Sequence, residues 1–422
     1  MIIEDIIYLC LLFFSMGFGV YYRSIENADY KKKVGALLGL LIVFIVSGLH
    51  SIHVLISTLV NAYIILYTDK RDTAGKTEEE KLEDETCDIN LEFLDVFYYA
   101  FNFCGVLTGP YFRYTTYLDH LNKPYHRYDN YREAMLKKLY LIPLLGGIHL
   151  ITNYYWPLSY VSSEEFLNRP FLYRYWYIWP TFIVFRTRIY FGLILTEMVC
   201  IMGGLGVYPV FSQPQAGHGP TENFKKLKEL GDPEELKKLE YNYEATHCLN
   251  AYEADFTPTM REAMKHWNIT VQYWLANYIY KRFPYKKFRI HVTMLMSAVW
   301  HGVYTGYYLC IATVPIALMY EDIWVKLLLK NNTGLSLRIS KLVILFLKMQ
   351  MFSYQSVSFV LLELGKIFHY YNCVYHCIPI LYVALYFLGH HLLKQKVLTE
   401  KRARQDNKKW ELDDERAREK IN

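Results

Sequence analysis

Long apolar stretches, each close to the length needed to cross a lipid bilayer, recur along this 422-residue chain. A spanning α-helix needs about 20 mostly apolar residues, because the hydrocarbon core is about 30 Å thick and each helical residue rises about 1.5 Å. The windows that meet this length are Ile6–Tyr22, Val34–Thr68, Phe93–Phe112, Leu139–Trp156, Trp176–Val207, His291–Tyr320, Leu342–Leu364 and Val374–Leu393. The sequence therefore predicts an all-α, polytopic membrane protein with roughly nine to eleven embedded helices, the longest window breaking in two near Ser47–His50.

The composition agrees with a membrane protein and excludes some functions. Hydrophobic residues make up 53% of the chain, and its 40 Tyr and 8 Trp suit membrane–water interfaces, where an apolar ring with a polar tip is stable. The net charge of +5 is small, and the basic residues do not gather on one module, so we expect no nucleic-acid partner. The eight cysteines are scattered, and the run Cys373–Cys377 lacks a full zinc ligand set. We expect free thiols and no bound metal.

Shifts in composition divide the chain into four parts. These are N-terminal transmembrane segments (1–68), an acidic polar loop (69–90), a core (91–393) and a charged tail (394–422). The tail holds ten Lys or Arg against seven Asp or Glu directly after the last apolar window, which favours a cytosolic C terminus. A second polar stretch, Ser212–Asp255, is long enough to carry short helices.

A histidine stands inside an apolar run. His301, in Trp300-His301-Gly302, has no acidic, basic or further histidine neighbour across Val292–Tyr320. An ionisable group within a span costs roughly 2.5 to 3.5 kcal/mol on insertion scales, so it is a candidate functional residue. Neutral imidazole accepts a proton near physiological pH, as a general base for a hydroxyl group must. The alternative is a core histidine hydrogen-bonded between helices, and the residues alone leave both interpretations open.

Two further segments carry unexpected polar groups. Helical spacing of apolar residues over Arg261–Arg282 predicts one amphipathic helix, with Asn268 on its polar stripe. Arg186, Arg188 and Glu197 lie inside the window Trp176–Val207. They could pair across helix turns or line an aqueous tunnel, where guanidinium groups would recognise a phosphate.

Taken together, these motifs resemble the membrane-bound O-acyltransferase family, in particular its lysophosphatidylinositol acyltransferase branch. The segments that carry the resemblance are Gly105–Tyr114, Thr116–Asp119, Phe185–Tyr208, Tyr243–Phe256, His266–Asn268, Ser297–Gly302 and Phe346–Met349. A Trp-Asn pair followed 33 residues later by a histidine in an apolar helix is specific when joined to the other segments. Relatives in this branch carry additional apolar sequence where residues 69–90 stand here, so one or two spans are expected to be missing.

The resemblance implies a fold and a chemistry. The helices would surround an intramembrane chamber that acyl-CoA enters from the cytosol and a lysophospholipid enters from the bilayer. His301 would be the catalytic base and Asn268 its polar partner, with Trp267, Trp300, Arg186, Arg188 and Glu197 as candidate substrate-binding residues. Acyl-CoA is a co-substrate, so no cofactor is expected. The branch implies a polyunsaturated acyl donor, transfer to the sn-2 hydroxyl of lysophosphatidylinositol, and residence in the endoplasmic reticulum.

Other functions stay open on the residues alone. The acceptor could be another lysophospholipid or a protein. A transporter could use the same arginines, Glu197 and His301 as an ion path, although no internal repeat supports that interpretation. A non-catalytic membrane scaffold is a third possibility. The sequence does not predict the oligomeric state.

Overall fold

The computed structural model describes residues 3–67, 92–330 and 332–419. Regular structure in these residues is almost entirely helical, so the all-α prediction is confirmed. The acidic loop predicted for residues 69–90 lies outside the described residues. Two short strands, β1 (Tyr208–Pro209) and β2 (Tyr241–Asn242), pair antiparallel. β2 lies in the polar stretch Ser212–Asp255, and β1 lies just before it.

The helices are numbered in chain order. The first ten are α1 (Ile3–Ser24), α2 (Ala28–Ser47), α3 (Ser51–Tyr67), α4 (Phe93–Ala100), α5 (Tyr114–Asn122), α6 (Tyr131–Leu139), α7 (Leu141–Tyr155), α8 (Glu164–Leu167), α9 (Phe171–Trp176) and α10 (Ile178–Gly203). The next five are α11 (Phe224–Glu229), α12 (Pro233–Leu236), α13 (Ala251–Phe256), α14 (Met260–Lys265) and α15 (Ile269–Leu275). The last six are α16 (Arg289–His301), α17 (Thr305–Ile311), α18 (Val314–Leu328), α19 (Gly334–Leu361), α20 (Leu364–Cys373) and α21 (Cys377–Glu419).

The chain forms two compact units, each assembled from separate stretches of sequence. Unit 1 comprises Met1–Ile151, Arg186–Ala254 and Lys265–Arg282. Unit 2 comprises Thr152–Phe185, Asp255–Met264 and Phe283–Asn422.

Several helices are long and apolar enough to cross a membrane, and the protein is a multi-pass membrane protein. Among the described residues, five stretches meet both criteria, namely Asp5–Ser24, Ala28–Tyr67, Tyr131–Ser162, Thr305–Leu328 and Cys377–Lys408. The predicted break in the longest window is confirmed, because α2 ends at Ser47 and α3 begins at Ser51, with Gly48 at a φ of 52° between them. The total of nine to eleven embedded helices stays a prediction.

Two of the predicted spans are wrong as continuous helices. In the window Phe93–Phe112, α4 ends at Ala100, and the following chain folds back so tightly that a Cβ on Gly109 would lie 2.4 Å from the Cys104 carbonyl oxygen. The window His291–Tyr320 divides into α16, α17 and α18. Gly302 ends α16 at a φ of 129°, and Pro315 lies in the first turn of α18. In the second window a glycine and a proline therefore interrupt an apolar stretch that is long enough to span.

The core of unit 1 is built where α1, α2 and the C-terminal half of α10 pack together. Leu12, Ile42, Leu195 and Cys200 are among its buried side chains. A Cβ at Gly39 of α2 would lie 1.8 Å from the carbonyl oxygen of Phe101, so the backbones meet there with no room for a side chain. This contact holds the turn after α4 against α2.

The core of unit 2 joins α19, α20 and α21. Tyr354 and Tyr371 stack with ring centroids 4.2 Å apart, and Ile367 and Val374 are fully buried beside them. Two buried charges also tie the segment Asp255–Met264 to this unit. Lys348 Nζ donates to the carbonyl oxygens of Asp255 and Thr257, each at 2.8 Å, and Glu321 accepts the N–H groups of Met260 and Arg261. Helix ends have unsatisfied carbonyl and N–H groups, which these side chains supply with partners.

Candidate active site

His301 is the last residue of α16, in unit 2. The helix ends there because Gly302 adopts a φ of 129°, in the region that favours glycine, and its N–H bonds back to Ala298 and Val299. The imidazole is therefore presented at a helix terminus and not in the middle of a helix. The residue is exposed.

Aromatic rings surround the His301 side chain. Its centroid lies 4.8 Å from the ring of Trp300, 5.0 Å from Phe359 and 5.6 Å from Tyr307. Within the described residues, neither ring nitrogen makes a hydrogen bond. Within the described residues, the alternative of a core histidine hydrogen-bonded between helices is therefore wrong. The arrangement leaves both nitrogens available to exchange a proton with a bound molecule.

A glycine contact between α17 and α19 brings these rings together. The N–H of Gly306 donates to the carbonyl oxygen of Leu362 at 2.8 Å, and a Cβ at Gly306 would lie 2.1 Å from the carbonyl oxygen of Ser358. The two helices can approach this closely only because residue 306 lacks a side chain. As a result Tyr307 and Phe359 pack with ring centroids 4.8 Å apart, next to His301.

Asn268 lies in unit 1, at a break between α14 and α15. The prediction of one amphipathic helix over Arg261–Arg282 is wrong, because residues 266–268 are not helical and Asn268 adopts the left-handed conformation with φ 51° and ψ 53°. Asparagine tolerates this conformation better than other residues with a side chain. The side-chain amide makes no capping hydrogen bond to α15, nor another hydrogen bond within the described chain. Its N–H groups are thus available to a ligand.

The break at Asn268 is held by pairing with an earlier segment. Leu249 and Trp267 form an antiparallel bridge. On its two sides, the N–H of Asn250 donates to the His266 carbonyl oxygen at 3.0 Å, and the N–H of Ile269 donates to the Cys248 carbonyl oxygen at 2.8 Å. Backbone hydrogen bonds made outside the helix therefore satisfy the groups that the break frees.

The two predicted tryptophans differ in environment. Trp267 is half-buried and meets the ring of Tyr190 edge-on, with centroids 5.0 Å apart. Trp300 is 52% exposed and touches His301. Trp267 therefore packs within unit 1, whereas Trp300 presents most of its surface outward.

Two charged residues of α10, Arg188 and Glu197, pair with partners elsewhere in unit 1 and not with each other. Arg188 donates to Asp5 at 2.5 Å. The carboxylate of Glu197 is 2% exposed and bonds to Lys138 and to backbone N–H groups. Arg186 is half-buried on the same helix. The interpretation in which the arginines pair with Glu197 across helix turns is thus wrong for Arg188, and substrate binding by these three residues stays a prediction.

The sequence did not single out several residues around these groups. Tyr307 and Phe359 belong to no recognisable motif. The sequence of an apolar helix does not indicate which of its aromatic rings contacts a given histidine. Lys138 and His247, which contact Glu197, are remote from it in sequence. Among the described residues no group of three or more His, Cys, Asp or Glu side chains could hold a metal ion.

The structure therefore groups the predicted residues by unit. Asn268, Trp267, Arg186, Arg188 and Glu197 belong to unit 1, and His301 and Trp300 belong to unit 2. That Asn268 and His301 face one chamber stays a prediction.

The chain matches a known protein family over most of its length. The family model described as the membrane-bound O-acyltransferase family matches residues 7–363, which include both Asn268 and His301. The chain is similar to a membrane-bound acylglycerophosphatidylinositol O-acyltransferase of Drosophila melanogaster, at 35% identity over 95% of each chain. It is similar to proteins of the same description from Homo sapiens, at 37% identity over 69% of this chain and 61% of that protein, and from Danio rerio, at 30% identity over 97% and 83%. The match thus spans less than two thirds of the human relative.

Proposed function

The chain belongs to the membrane-bound O-acyltransferase family, and we propose that it transfers a fatty acyl group from acyl-CoA to the free sn-2 hydroxyl of lysophosphatidylinositol. The observation that carries the proposal is the state of His301. The family match includes this residue, and the structure leaves its imidazole without a hydrogen bond among the described residues, between aromatic rings. The relatives named above, which are acylglycerophosphatidylinositol O-acyltransferases by description, support the choice of acceptor.

The reaction follows from a neutral imidazole beside two substrates. His301 accepts the proton of the glycerol hydroxyl as its oxygen attacks the thioester carbonyl carbon of acyl-CoA. A carbon–oxygen bond forms, the carbon–sulfur bond breaks, and the departing thiolate takes the proton from the imidazolium. Imidazole is suited to both transfers because its ordinary pKa lies near physiological pH. No covalent acyl-enzyme and no cofactor are required.

Asn268 contributes a hydrogen-bond donor in this proposal. Negative charge develops on the carbonyl oxygen during the attack, and a fixed amide N–H that points at this oxygen stabilises the charge. The left-handed backbone at Asn268 and its amide, which has no partner in the described chain, support this role. Such a donor works only if its backbone is rigid, because mobile dipoles must reorganise during the reaction.

The membrane setting supports the same chemistry. In this proposal the apolar spans enclose the chamber within the bilayer. Exclusion of water from it would let the thioester be transferred to the lipid hydroxyl and not hydrolysed. We propose the endoplasmic reticulum as the location and a polyunsaturated acyl-CoA as the donor. Trp300, half exposed beside His301, is proposed to contact the incoming substrate.

The test is an acyl-transfer assay in membranes of cells that lack endogenous lysophosphatidylinositol acylation. Microsomes that contain the wild type, His301→Ala or His291→Ala receive labelled arachidonoyl-CoA or palmitoyl-CoA with lysophosphatidyl-inositol, -choline, -serine or -ethanolamine. His291 lies on the same helix and serves as the matched control. We expect the inositol lipid to be acylated preferentially by the wild type and His291→Ala, and the rate to fall at least about a hundredfold in His301→Ala.

Each other result overturns a defined part of the proposal. Acylation that survives His301→Ala would overturn the role of the imidazole. Acylation of choline or serine lysolipids in preference to inositol would overturn the acceptor. A wild-type protein that acylates none of the four lipids would overturn the proposed activity on lysophospholipids.

A further inference from the structure

Glu197, the acidic candidate residue of α10, is buried in unit 1. It is 2% exposed, and each of its oxygens accepts hydrogen bonds from the protein. Oε1 accepts the backbone N–H of Cys248 at 2.6 Å and that of Leu249 at 3.0 Å. Oε2 accepts from His247 Nδ1 at 3.3 Å and forms an ion pair with Lys138. These four donors occupy the carboxylate, so little of it is left for a substrate.

The charge of Glu197 is compensated locally. A buried carboxylate is stable only when an opposite charge and several donors replace its hydration. Lys138 supplies the charge from α6, and its own side chain is 22% exposed, so it reaches the carboxylate from the edge of the unit. The carboxylate is thereby a fixed attachment point on α10.

The segment attached to Glu197 is the one that pairs with the break at Asn268. Cys248 donates its N–H to Glu197 and accepts the N–H of Ile269, the residue after Asn268, at 2.8 Å. Leu249 donates its N–H to the same carboxylate and bridges to Trp267, the residue before Asn268. Glu197 thus connects through one short segment to both neighbours of Asn268.

We propose that Glu197 is a positioning residue that sets the location of the Asn268 amide by anchoring Cys248 and Leu249. The inference rests on the proposed function for its effect on catalysis, whereas the anchoring itself is independent of the reaction. Glu197 touches no substrate in this proposal, and its carboxylate takes no part in proton transfer. Its reach to the two N–H groups matters more than its negative charge, because those two hydrogen bonds carry the connection.

Two conservative substitutions separate reach from charge. Glu197→Gln keeps the length of the side chain and one oxygen for the Cys248 and Leu249 N–H groups, but it loses the charge. Glu197→Asp keeps the charge and withdraws the carboxylate by about one carbon–carbon bond, about 1.5 Å. We expect kcat to fall less than fivefold in Glu197→Gln and about a hundredfold in Glu197→Asp, the effect of removing a transition-state donor. KM for the lysolipid should change less than twofold in both.

A double-mutant cycle tests whether Glu197 acts through Asn268. If it does, Glu197→Asp in an Asn268→Gly background should cost less than a further threefold in kcat, because the amide that it positions is already absent. Independent roles would give multiplied losses. Multiplied losses, a raised KM with unchanged kcat, or greater activity in Glu197→Asp than in Glu197→Gln would each overturn the proposal.

Hydrogen–deuterium exchange provides a readout that does not depend on activity. Peptides that cover 247–250 and 266–270 should exchange faster in Glu197→Asp than in the wild type and Glu197→Gln, while peptides from unit 2 stay unchanged. Unchanged exchange in both peptides would overturn the anchoring. If the three proteins show this exchange pattern but the wild type does not acylate lysophosphatidylinositol, the result would count against the proposed function alone.

Discussion

The ring of Phe359 lies edge-on to the imidazole of His301, with centroids 5.0 Å apart and planes inclined by 83°. Edge-to-face pairs of this kind contribute about 0.5 to 1.5 kcal/mol beyond the area they bury. Since His301 has no hydrogen bond in the described chain to fix its orientation, such ring contacts set the direction of its nitrogens.

Replacing Phe359 by leucine should reduce kcat about three- to tenfold with little change in KM, since a contact worth about 1 kcal/mol then no longer orients the base. Phe346→Leu is the control and should keep wild-type kcat, because Phe346 lies on the same helix but stacks on Trp179, with ring centroids 5.7 Å apart. The measurement is steady-state acyl transfer in microsomes with matched protein levels. Equal kcat values for both variants would contradict the role of Phe359.

Gly306→Ala should destabilise unit 2 strongly. The added Cβ would lie 2.1 Å from the carbonyl oxygen of Ser358, which is backbone and cannot move aside without separating α17 from α19. Overpacking of this type costs about 1 to 3 kcal/mol or more. Gly365→Ala, where nothing lies within 4 Å of the new Cβ, is the matched helical control and should be neutral or slightly stabilising. Thermal unfolding of both variants in detergent checks this, and equal melting temperatures would contradict the close contact.

Asn268→Gly should remove the side-chain amide while it preserves the backbone conformation at this position. Glycine adopts the φ of 51° without strain, so the melting temperature should stay within a few degrees of wild type while kcat falls about a hundredfold or more. Asn268→Ala should lose the same activity and also about 1 kcal/mol of stability, because alanine is strained in this region. Unreduced activity in Asn268→Gly would exclude the amide from the reaction.

Asp119 should make the stability of unit 1 depend on pH. Burial raises the pKa of its carboxyl group to about 6, although the Tyr208 hydroxyl, which donates to it at 2.8 Å, and Lys123 act in the opposite direction. The folded state therefore binds this proton more tightly than the unfolded state. The associated stability is present at pH 4 and is lost as the pH rises through 6, by about 2 kcal/mol when partial exposure is allowed for.

The comparison with Asp119→Asn isolates this effect from other titrating groups. Asparagine keeps an oxygen that can accept the Tyr208 hydrogen bond but carries no proton to lose. The melting temperature of Asp119→Asn relative to wild type should therefore be higher at pH 8 than at pH 5. A difference that is the same at both pH values, or larger at pH 5, would contradict the raised pKa.

The membrane class, the helical fold and the family followed from local patterns. Apolar length predicts a spanning helix because an unsatisfied backbone group is costly in lipid, whatever the rest of the chain does. The break at Ser47–His50 was also predictable, since a glycine and polar residues interrupt the apolar window there. Asn268 and His301 were identified through motifs, each of which lies in one short segment.

Only the tertiary structure decided how these residues are held. Periodicity over Arg261–Arg282 predicts one helix, but pairing with Cys248 and Leu249 breaks it at Asn268, and that pairing joins residues about 20 positions apart. The apolar sequence around His301 is compatible with a hydrogen-bonded or a free imidazole. The close approach of α17 to α19 at Gly306 surrounds it with aromatic rings, none of which forms a hydrogen bond with it within the described residues. Such contacts depend on which distant parts of the backbone pack together. The hydrophobic effect has no direction, so the apolar sequence of a single segment does not specify these partners.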